Sequence, residues 1–139
     1  VPEMALVAED DGRVVGHVMI SGAVIHHDDA ERADRPIVML SPLAVAPDRH
    51  RQGIGGELVR AALALADQRG EPLVVLEGSP AYYPRFGFQP AVGHGITMPL
   101  PDWAPPEAAQ VALLRTYDPA DRTLRGAVIY PPAFDGLDA

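Results

Sequence analysis

The sequence predicts an α/β fold with a mixed β-sheet flanked by helices, and three observations lead to it. Runs rich in valine and isoleucine, separated by turn residues, indicate strands before residue 47. An amphipathic helical pattern over 53–69 then precedes the apolar run Leu73-Val74-Val75-Leu76, which is typical of a strand buried on both faces. Strand, helix and strand within about 40 residues make a parallel crossover. The first two strands, by contrast, read as an antiparallel hairpin.

The N-terminal elements follow from alternation and turn chemistry. We expect a strand at Met4–Glu9, a turn at Asp10-Asp11-Gly12 and a longer strand at Arg13–Ile25. The polar segment His26–Pro36 is expected to form an exposed loop. A third strand is predicted at Ile37–Ala46, where a proline follows and ends it.

The central helix is predicted from Gly53 to about Arg69, with Gly70 as its terminator. Its apolar stripe consists of Ile54, Leu58, Ala61, Ala62 and Leu65.

The C-terminal third carries weaker patterns. Pro80–Phe86 is predicted to form one short helix, because proline is tolerated in a first turn. The chain from Phe88 onward is rich in proline and is expected to be irregular. Two late strands are predicted at Gln110–Tyr117 and Thr123–Tyr130.

Composition narrows the function classes. A length of 139 residues fits a single domain, 1–139, with one hydrophobic core. The net charge of −8 disfavours a nucleic-acid binder and is compatible with a cationic small molecule or basic peptide. No apolar run approaches the roughly 20 residues that span a bilayer, so no membrane partner is expected. The chain has no cysteine, which excludes a thiol nucleophile within it and favours a reducing, cytoplasmic setting.

The glycine turn after the third strand is the first chemical signal. The strand end Leu43-Ala44-Val45 leads to Gly53-Ile54-Gly55-Gly56, where the helix begins. This order aims backbone N–H groups and the positive end of a helix dipole at one point, which suits a phosphate. The sequence disfavours a P-loop because its lysine and hydroxyl are missing, and the glycine spacing fits a dinucleotide fingerprint poorly. An ordinary strand-to-helix turn remains open on spacing alone.

Two motifs together resemble the GNAT acyltransferases. The stretch His50-Arg51-Gln52-Gly53-Ile54-Gly55 is similar to the coenzyme A pyrophosphate loop of that family, Arg/Gln-x-x-Gly-x-Gly/Ala. The segment Tyr82-Tyr83-Pro84-Arg85-Phe86-Gly87-Phe88 is similar to the family's second element, a tyrosine four residues before Gly-Phe. The ending Tyr130-Pro131-Pro132-Ala133-Phe134 resembles a subgroup of predicted N-acetyltransferases that share the Tyr-Tyr-x-Arg-Phe-Gly-Phe segment.

The resemblance implies a fold and a co-substrate. It implies a splayed mixed sheet, opened between the strand ending near Val45 and the strand at Leu73–Leu76, with acetyl-CoA bound in the opening. It also implies that the family's first strand and first two helices lie outside this chain. His50 stands where the family has arginine or glutamine, so we expect Arg51 to carry more of the charge at the phosphates.

The resemblance also assigns the cofactor contacts. It implies that the main chain of Leu43, Ala44 and Val45 pairs with pantetheine, and that one N–H there polarises the thioester carbonyl. It also implies that the glycine turn holds the pyrophosphate. The residues assigned to this contact are His50, Arg51, Gln52, Gly53, Ile54, Gly55 and Gly56.

The catalytic assignments leave alternatives open. Tyr83 matches the tyrosine that protonates the departing thiolate, or else it is a packed aromatic. Glu77 is the candidate general base, acting through water, although a strand-end carboxylate without a catalytic role is the simpler interpretation. Ser79 either binds the cofactor or starts the next helix. Tyr82 either packs or contacts pantetheine.

Three further features have simple structural explanations. His17 either faces the pocket or, as we favour, is a satisfied core histidine. The sequence His26-His27-Asp28-Asp29 is expected to be a solvated loop, and no metal site is predicted. Trp103 is expected to be a packing anchor or a lip of the acceptor site.

The function predicted is transfer of an acetyl group from acetyl-CoA to a primary amine, by direct attack in a ternary complex. The expected partners are a small-molecule or peptide amine, with a homodimer left open. Two alternatives remain: a catalytically silent CoA-binding or regulatory module on the same fold, and an interaction domain whose groove stays empty.

Overall fold

The computed structural model describes residues 4–28, 32–40, 44–46, 48 and 53–130. These residues form one mixed sheet and one long helix, α1 (Ile54–Gln68). The nine strands of the described residues are β1 (Met4–Asp10), β2 (Arg13–His26), β3 (Arg35–Leu40), β4 (Ala44–Val45), β5 (Leu73–Glu77), β6 (Phe88–Pro90), β7 (Ile96–Thr97), β8 (Ala109–Leu113) and β9 (Gly126–Ile129). The main path of the sheet runs β6-β8-β5-β3-β2-β9-β7, with β1 and β4 also paired to β2. The sequence therefore predicted the fold class correctly.

The N-terminal hairpin is confirmed. β1 and β2 pair antiparallel around a turn at Asp11 and Gly12, with one irregularity between Ala8 and Glu9. The long strand β2 is the centre of the sheet, because four other strands pair with it.

The parallel crossover is also confirmed. β3 and β5 pair in parallel, and α1 lies between them in the chain. The residue after α1 that was predicted to end it, Gly70, has a left-handed φ of 79°. Residues Leu73 to Leu76 are all buried, as expected for a strand covered on both faces.

The third predicted strand, Ile37–Ala46, is two strands instead of one. β3 and β4 both pair with β2, but their registers differ: Ile20 faces Leu40, whereas His17 faces Ala44. Three residues thus separate Leu40 from Ala44, while two separate His17 from Ile20. The registers of β3 and β4 against β2 therefore differ by one residue.

The sheet opens next to this register change. β3 and β5 pair at Val38 with Val74 and at Met39 with Val75. Beyond that point Glu77 of β5 pairs with β8, and the described residues of β4 pair with β2. Among the described residues, Met39 with Val75 is the last pair between the two central strands, and this is where the expected splayed architecture would open.

Each face of the sheet has its own apolar cluster. The helix-side cluster contains α1, through Leu58 and Val59, packed on inward residues of β2, β3 and β5 such as Leu76. The opposite cluster contains alternate residues of the same strands, such as Met39 and Val75. Because successive strand residues point to opposite faces, each side chain of β5 is assigned to one face by its parity.

The C-terminal predictions needed several corrections. In place of a helix at Pro80–Phe86, a single 3₁₀ turn spans Tyr83–Phe86, because a tight turn brings the aromatic side chains onto the sheet. The chain after Phe88 is not irregular throughout, since it contributes β6 and β7. The late strands are shorter than predicted, and Thr123 lies in a 3₁₀ turn that the side chain of Asp121 caps.

Two expectations about exposure were wrong. Ala61 of the predicted apolar stripe is exposed, whereas Val59 and Ala66 are buried in its place. The segment His26–Pro36 is not simply an exposed loop, because β2 extends to His26 and β3 begins at Arg35.

Candidate active site

The glycine turn forms the start of α1. Gly53 is the N-cap residue, with a left-handed φ of 80° and no heavy atom within 4 Å of the position of an added Cβ. No side chain of the described residues forms a capping hydrogen bond at this helix end. His50, Arg51 and Gln52 lie outside the described residues. The open space and the uncapped helix end fit an anionic group.

The start of the helix lies close to β2. A Cβ at Gly16 would come within 2.8 Å of Leu58 Cδ1 and 2.9 Å of Ile54 Cγ2. Gly16 in turn faces Val45 of β4. The absence of a side chain at Gly16 therefore allows the first turn of α1 to approach the strand beside the opening.

The strand β4 forms one border of the opening. Ala44 and Val45 pair with β2, and Ala46 N–H donates to the Val15 carbonyl at 2.7 Å. Leu43 lies outside the described residues. β4 thus presents its second edge towards β5, where the predicted pantetheine pairing would occur.

Glu77 lies at the other border of the opening. It ends β5 two residues beyond Val75, the last β5 residue that pairs with β3. By parity it shares a face with Leu73 and Val75, so it is on the face opposite α1. Its carboxylate is exposed and accepts a hydrogen bond from the hydroxyl of Tyr130.

Tyr83 approaches the same strand end from the helix side. Its ring packs against the helix-side cluster and makes edge contacts with Tyr82 at 5.0 Å and Phe88 at 5.9 Å between centroids. The ring occupies the space beside Gly78, because a Cβ there would lie 2.6 Å from Tyr83 Cε2. Burial, and secondarily the charge that Tyr82 carries when ionised, raise the pKa of Tyr83 above its ordinary value. The phenol is therefore a proton donor at neutral pH.

Ser79 and Tyr82 support the turn that presents Tyr83. The Ser79 hydroxyl accepts a hydrogen bond from Ala81 N–H at 3.3 Å, and its carbonyl accepts from the N–H groups of Tyr82 and Tyr83. This geometry matches the alternative in which Ser79 starts the turn. The guanidinium of Arg85 lies 4.6 Å from the Tyr82 ring centroid, and its Nε donates to the Tyr82 carbonyl at 2.9 Å.

Two further candidates, Trp103 and His17, differ in their exposure. Trp103 is 85% exposed, so the packing-anchor interpretation is wrong, and a role as acceptor lip stays a prediction. His17 is partly buried in β2, opposite Ala44.

The predicted solvated loop at His26–Asp29 is also corrected. The ring of His27 is buried, with Nδ1 3.1 Å from the Ala33 carbonyl and Nε2 3.0 Å from the Thr123 carbonyl. His26 pairs with Asp34 at 2.9 Å, and Asp29 lies outside the described residues. The imidazole of His27 therefore ties two chain segments together instead of facing water. Within the described ranges no group of three or more His, Asp or Glu side chains is arranged to hold a metal ion.

Sequence reasoning missed three features of this region. No pattern indicated that Tyr130 would contact Glu77, although the ending that begins at Tyr130 had been noticed as part of the family resemblance. The close approach of Tyr83 to Gly78 was not foreseen either. Ser21, on the same face as Met39 by pairing and parity, is fully buried, and its hydroxyl has no hydrogen-bond partner among the described residues.

Comparison with known proteins agrees with this architecture. The family described as acetyltransferase (GNAT) domain matches residues 2–90. The uncharacterised N-acetyltransferase YjhQ of Escherichia coli K12 is 31% identical over 129 residues, covering 91% of this chain and 68% of that protein. The crystal structure of the E. coli GNAT protein YhbS with CoA superposes with a TM-score of 0.76 at 33% identity, covering 94% of this chain and 68% of that one. A GNAT acetyltransferase from Brucella melitensis with acetyl-CoA gives a TM-score of 0.68, with the same identity and coverages.

The mixed sheet with a glycine turn before its long helix is an architecture that this chain shares with these acetyltransferase structures. The chain belongs to the GNAT acetyltransferase family. It spans 68% of the length of YjhQ, and its match to curated YhbS covers 53% of that protein. In the described part of the chain, no helix has the length and apolar character needed to cross a membrane.

Proposed function

We propose that this protein transfers the acetyl group of acetyl-CoA to a primary amine by direct attack in a ternary complex. The observation that carries the proposal is the arrangement at the end of β5. Tyr83 packs on the helix side, beside Gly78, and Glu77 lies on the opposite face, where β4 and β5 part. A donor and an acceptor of protons thus flank one opening from its two faces.

The binding of acetyl-CoA is supported by the start of α1 and by the opening beside it. Gly53 leaves room for a close backbone approach, and the uncapped helix end favours a diphosphate. The YhbS and Brucella structures contain CoA and acetyl-CoA respectively. We assign the pyrophosphate to residues 50–56 and the pantetheine to the main chain of residues 43–45. When bound, acetyl-CoA supplies an activated acyl group whose thioester is attacked readily by a neutral amine.

The roles of the side chains follow from their protonation. Glu77 accepts a proton from the ammonium form of the substrate, directly or through one water, which leaves the nitrogen lone pair free to form the amide bond. Tyr83 donates its hydroxyl proton to the sulfur as the carbon–sulfur bond breaks. The second proton released by the nitrogen returns through solvent to Tyr83. The amide, the free thiol and one proton in solution then balance the ammonium and the thioester.

The acceptor enters, in this proposal, on the face that carries Glu77. That face is opposite α1, so the amine and the helix do not compete for space. The net charge of −8 favours cationic acceptors through long-range attraction. A primary amine, which is an ammonium ion at neutral pH, has the charge that this surface attracts.

The test combines binding with turnover. Calorimetry should show binding of acetyl-CoA to the intact protein, and free thiol should appear with at least one of spermidine, kanamycin, lysine or a peptide with a free amino terminus. Replacing Tyr83 by Phe should lower kcat by about 10²-fold, the low end for general acid catalysis. Binding of acetyl-CoA should not change, because the ring and its packing remain.

Other outcomes would select the alternatives. Binding of acetyl-CoA without thiol release, together with a Tyr83→Phe variant that behaves like the parent, would indicate a silent CoA-binding module. No binding by folded protein would contradict the proposal and would favour an interaction domain.

A further inference from the structure

We propose that Tyr130 is a positioning residue that holds the Glu77 carboxylate at the opening of the sheet for proton transfer from the acceptor amine. The inference rests on the proposed function and adds a residue to it. The two residues are 53 positions apart in sequence, and the hydroxyl of Tyr130 donates to Glu77 Oε2.

The contact crosses the face of the sheet opposite α1. Tyr130 follows β9, which pairs with β2 on the side of β2 that faces away from β3. Glu77 ends β5, which lies beyond β3. The phenol ring of Tyr130 packs against the opposite cluster, and its hydroxyl reaches the carboxylate across the intervening strands. The last strand of the described chain thus supplies a side chain to the border of the opening.

The contact matters for Glu77 because this side chain is exposed. A glutamate has three rotatable side-chain bonds whose ordering costs free energy. Misplacement of a reacting group by about 1 Å costs up to 10²-fold in rate. The ring of Tyr130 is half-buried against apolar side chains, so its hydroxyl is a fixed donor that restricts where the carboxylate can lie.

The direction of the hydrogen bond between Tyr130 and Glu77 suits a general base. A phenol donates to the ionised carboxylate, which is the form that accepts a proton from an ammonium group. Burial, the hydrogen bond to Glu77 and the negative charge of Glu77 all raise the pKa of Tyr130, so the phenol keeps its proton and stays a donor.

The experiment uses Tyr130→Phe in the intact protein, with Tyr117→Phe as a matched control. Tyr117 also packs against the opposite cluster, but it contacts His94 and belongs to another part of the surface. With the most active amine of the panel above, Tyr130→Phe should lower kcat by about 10-fold while the KM for acetyl-CoA stays within about twofold. Tyr117→Phe should match the parent protein.

A double-mutant cycle separates positioning through Glu77 from a structural effect. In a Glu77→Ala background, Tyr130→Phe should change kcat by less than about twofold, because the group it positions is gone. The ring carbon of Tyr130 that bears the hydroxyl should change its NMR chemical shift in Glu77→Ala and keep it in Tyr117→Phe, and this readout needs no acetyl-CoA.

The outcomes distinguish this inference from the proposed function. If the parent protein acetylates an amine and Tyr130→Phe is equally active, the positioning role is wrong and the proposed function stands. Equal effects of Tyr130→Phe with and without Glu77 would also overturn it, since the hydroxyl would then act elsewhere. If no amine is acetylated, the proposed function fails and the positioning role fails with it.

Discussion

The two borders of the opening are built in different ways. On the helix side, the proposed diphosphate site is formed by main-chain groups of consecutive residues, which the turn at Gly53 and the start of α1 orient. On the opposite face, the proposed acceptor site is formed by side chains from distant strands, Glu77 and Tyr130. A backbone site tolerates changes of side chain, whereas a side-chain site is lost with a single group. In this proposal the cofactor is therefore held mainly by the backbone, and the proton of the acceptor amine is removed by side chains.

The largest effect is expected at Glu77, where a substitution should lower kcat without changing the affinity for acetyl-CoA. Replacing Glu77 by Gln should lower kcat by about 10²-fold or more, because the amide cannot accept the ammonium proton. The affinity for acetyl-CoA, measured by calorimetry, should stay the same. The control is Glu71→Gln, since Glu71 follows α1 and donates its N–H to the Ala66 carbonyl, remote from the end of β5. A loss of acetyl-CoA affinity in Glu77→Gln would contradict the separation of the two borders.

A smaller effect is expected at the helix side. Gly53→Ala should weaken acetyl-CoA binding by about tenfold, about 1.4 kcal/mol, because a methyl group enters the space assigned to the diphosphate. Gly70→Ala is the matched control: Gly70 has a φ of 79° and, like Gly53, no heavy atom near an added Cβ. Both variants should lose about 1–2 kcal/mol of stability from left-handed strain.

Two results would contradict the placement of the diphosphate at Gly53. If both variants bind acetyl-CoA as the parent protein does, the diphosphate does not approach Gly53. Equal weakening in both would mean that strain alone is measured.

The smallest effect concerns stability on the opposite face. Ser21→Ala should leave the free energy of unfolding unchanged or raise it by about 1 kcal/mol, because it removes a buried hydroxyl that has no hydrogen-bond partner in the described part of the chain. Ala23→Ser, two residues away on the same face, is the reverse change and should destabilise by about 1–3 kcal/mol. Urea unfolding measures both. A clear loss of stability in Ser21→Ala would show that the Ser21 hydroxyl makes a favourable contact.

Features that depend on neighbouring residues could be predicted from the sequence, whereas contacts between distant strands could not. The helix boundaries, the parallel crossover and the glycine turn before α1 depend on neighbouring residues, so periodicity and glycine placement were sufficient. The contact between Glu77 and Tyr130 depends on how four strands pair, and no local pattern encodes it. The register change between β3 and β4 was missed for a related reason, since it is visible only when both are aligned with β2.

Side-chain burial outside the regular elements was the least predictable property. His27 was expected in solvent because its neighbours are charged, yet two backbone carbonyls from different segments surround its ring. Trp103 was expected to pack because tryptophan usually buries apolar area, yet it is 85% exposed. Both outcomes depend on which distant segment comes near, which tertiary structure determines.

The account's central claim is that acetyl-CoA occupies the opening between β4 and β5, with its diphosphate at the start of α1. The most direct test is an NMR titration of isotope-labelled protein with acetyl-CoA, following each backbone amide. The account predicts the largest shifts at Gly53, Gly55, Gly56 and Ala44. Saturable shifts confined to another region, such as the cavity of about 340 Å³ lined by His26, His27 and Arg125, with no change at these amides, would contradict it.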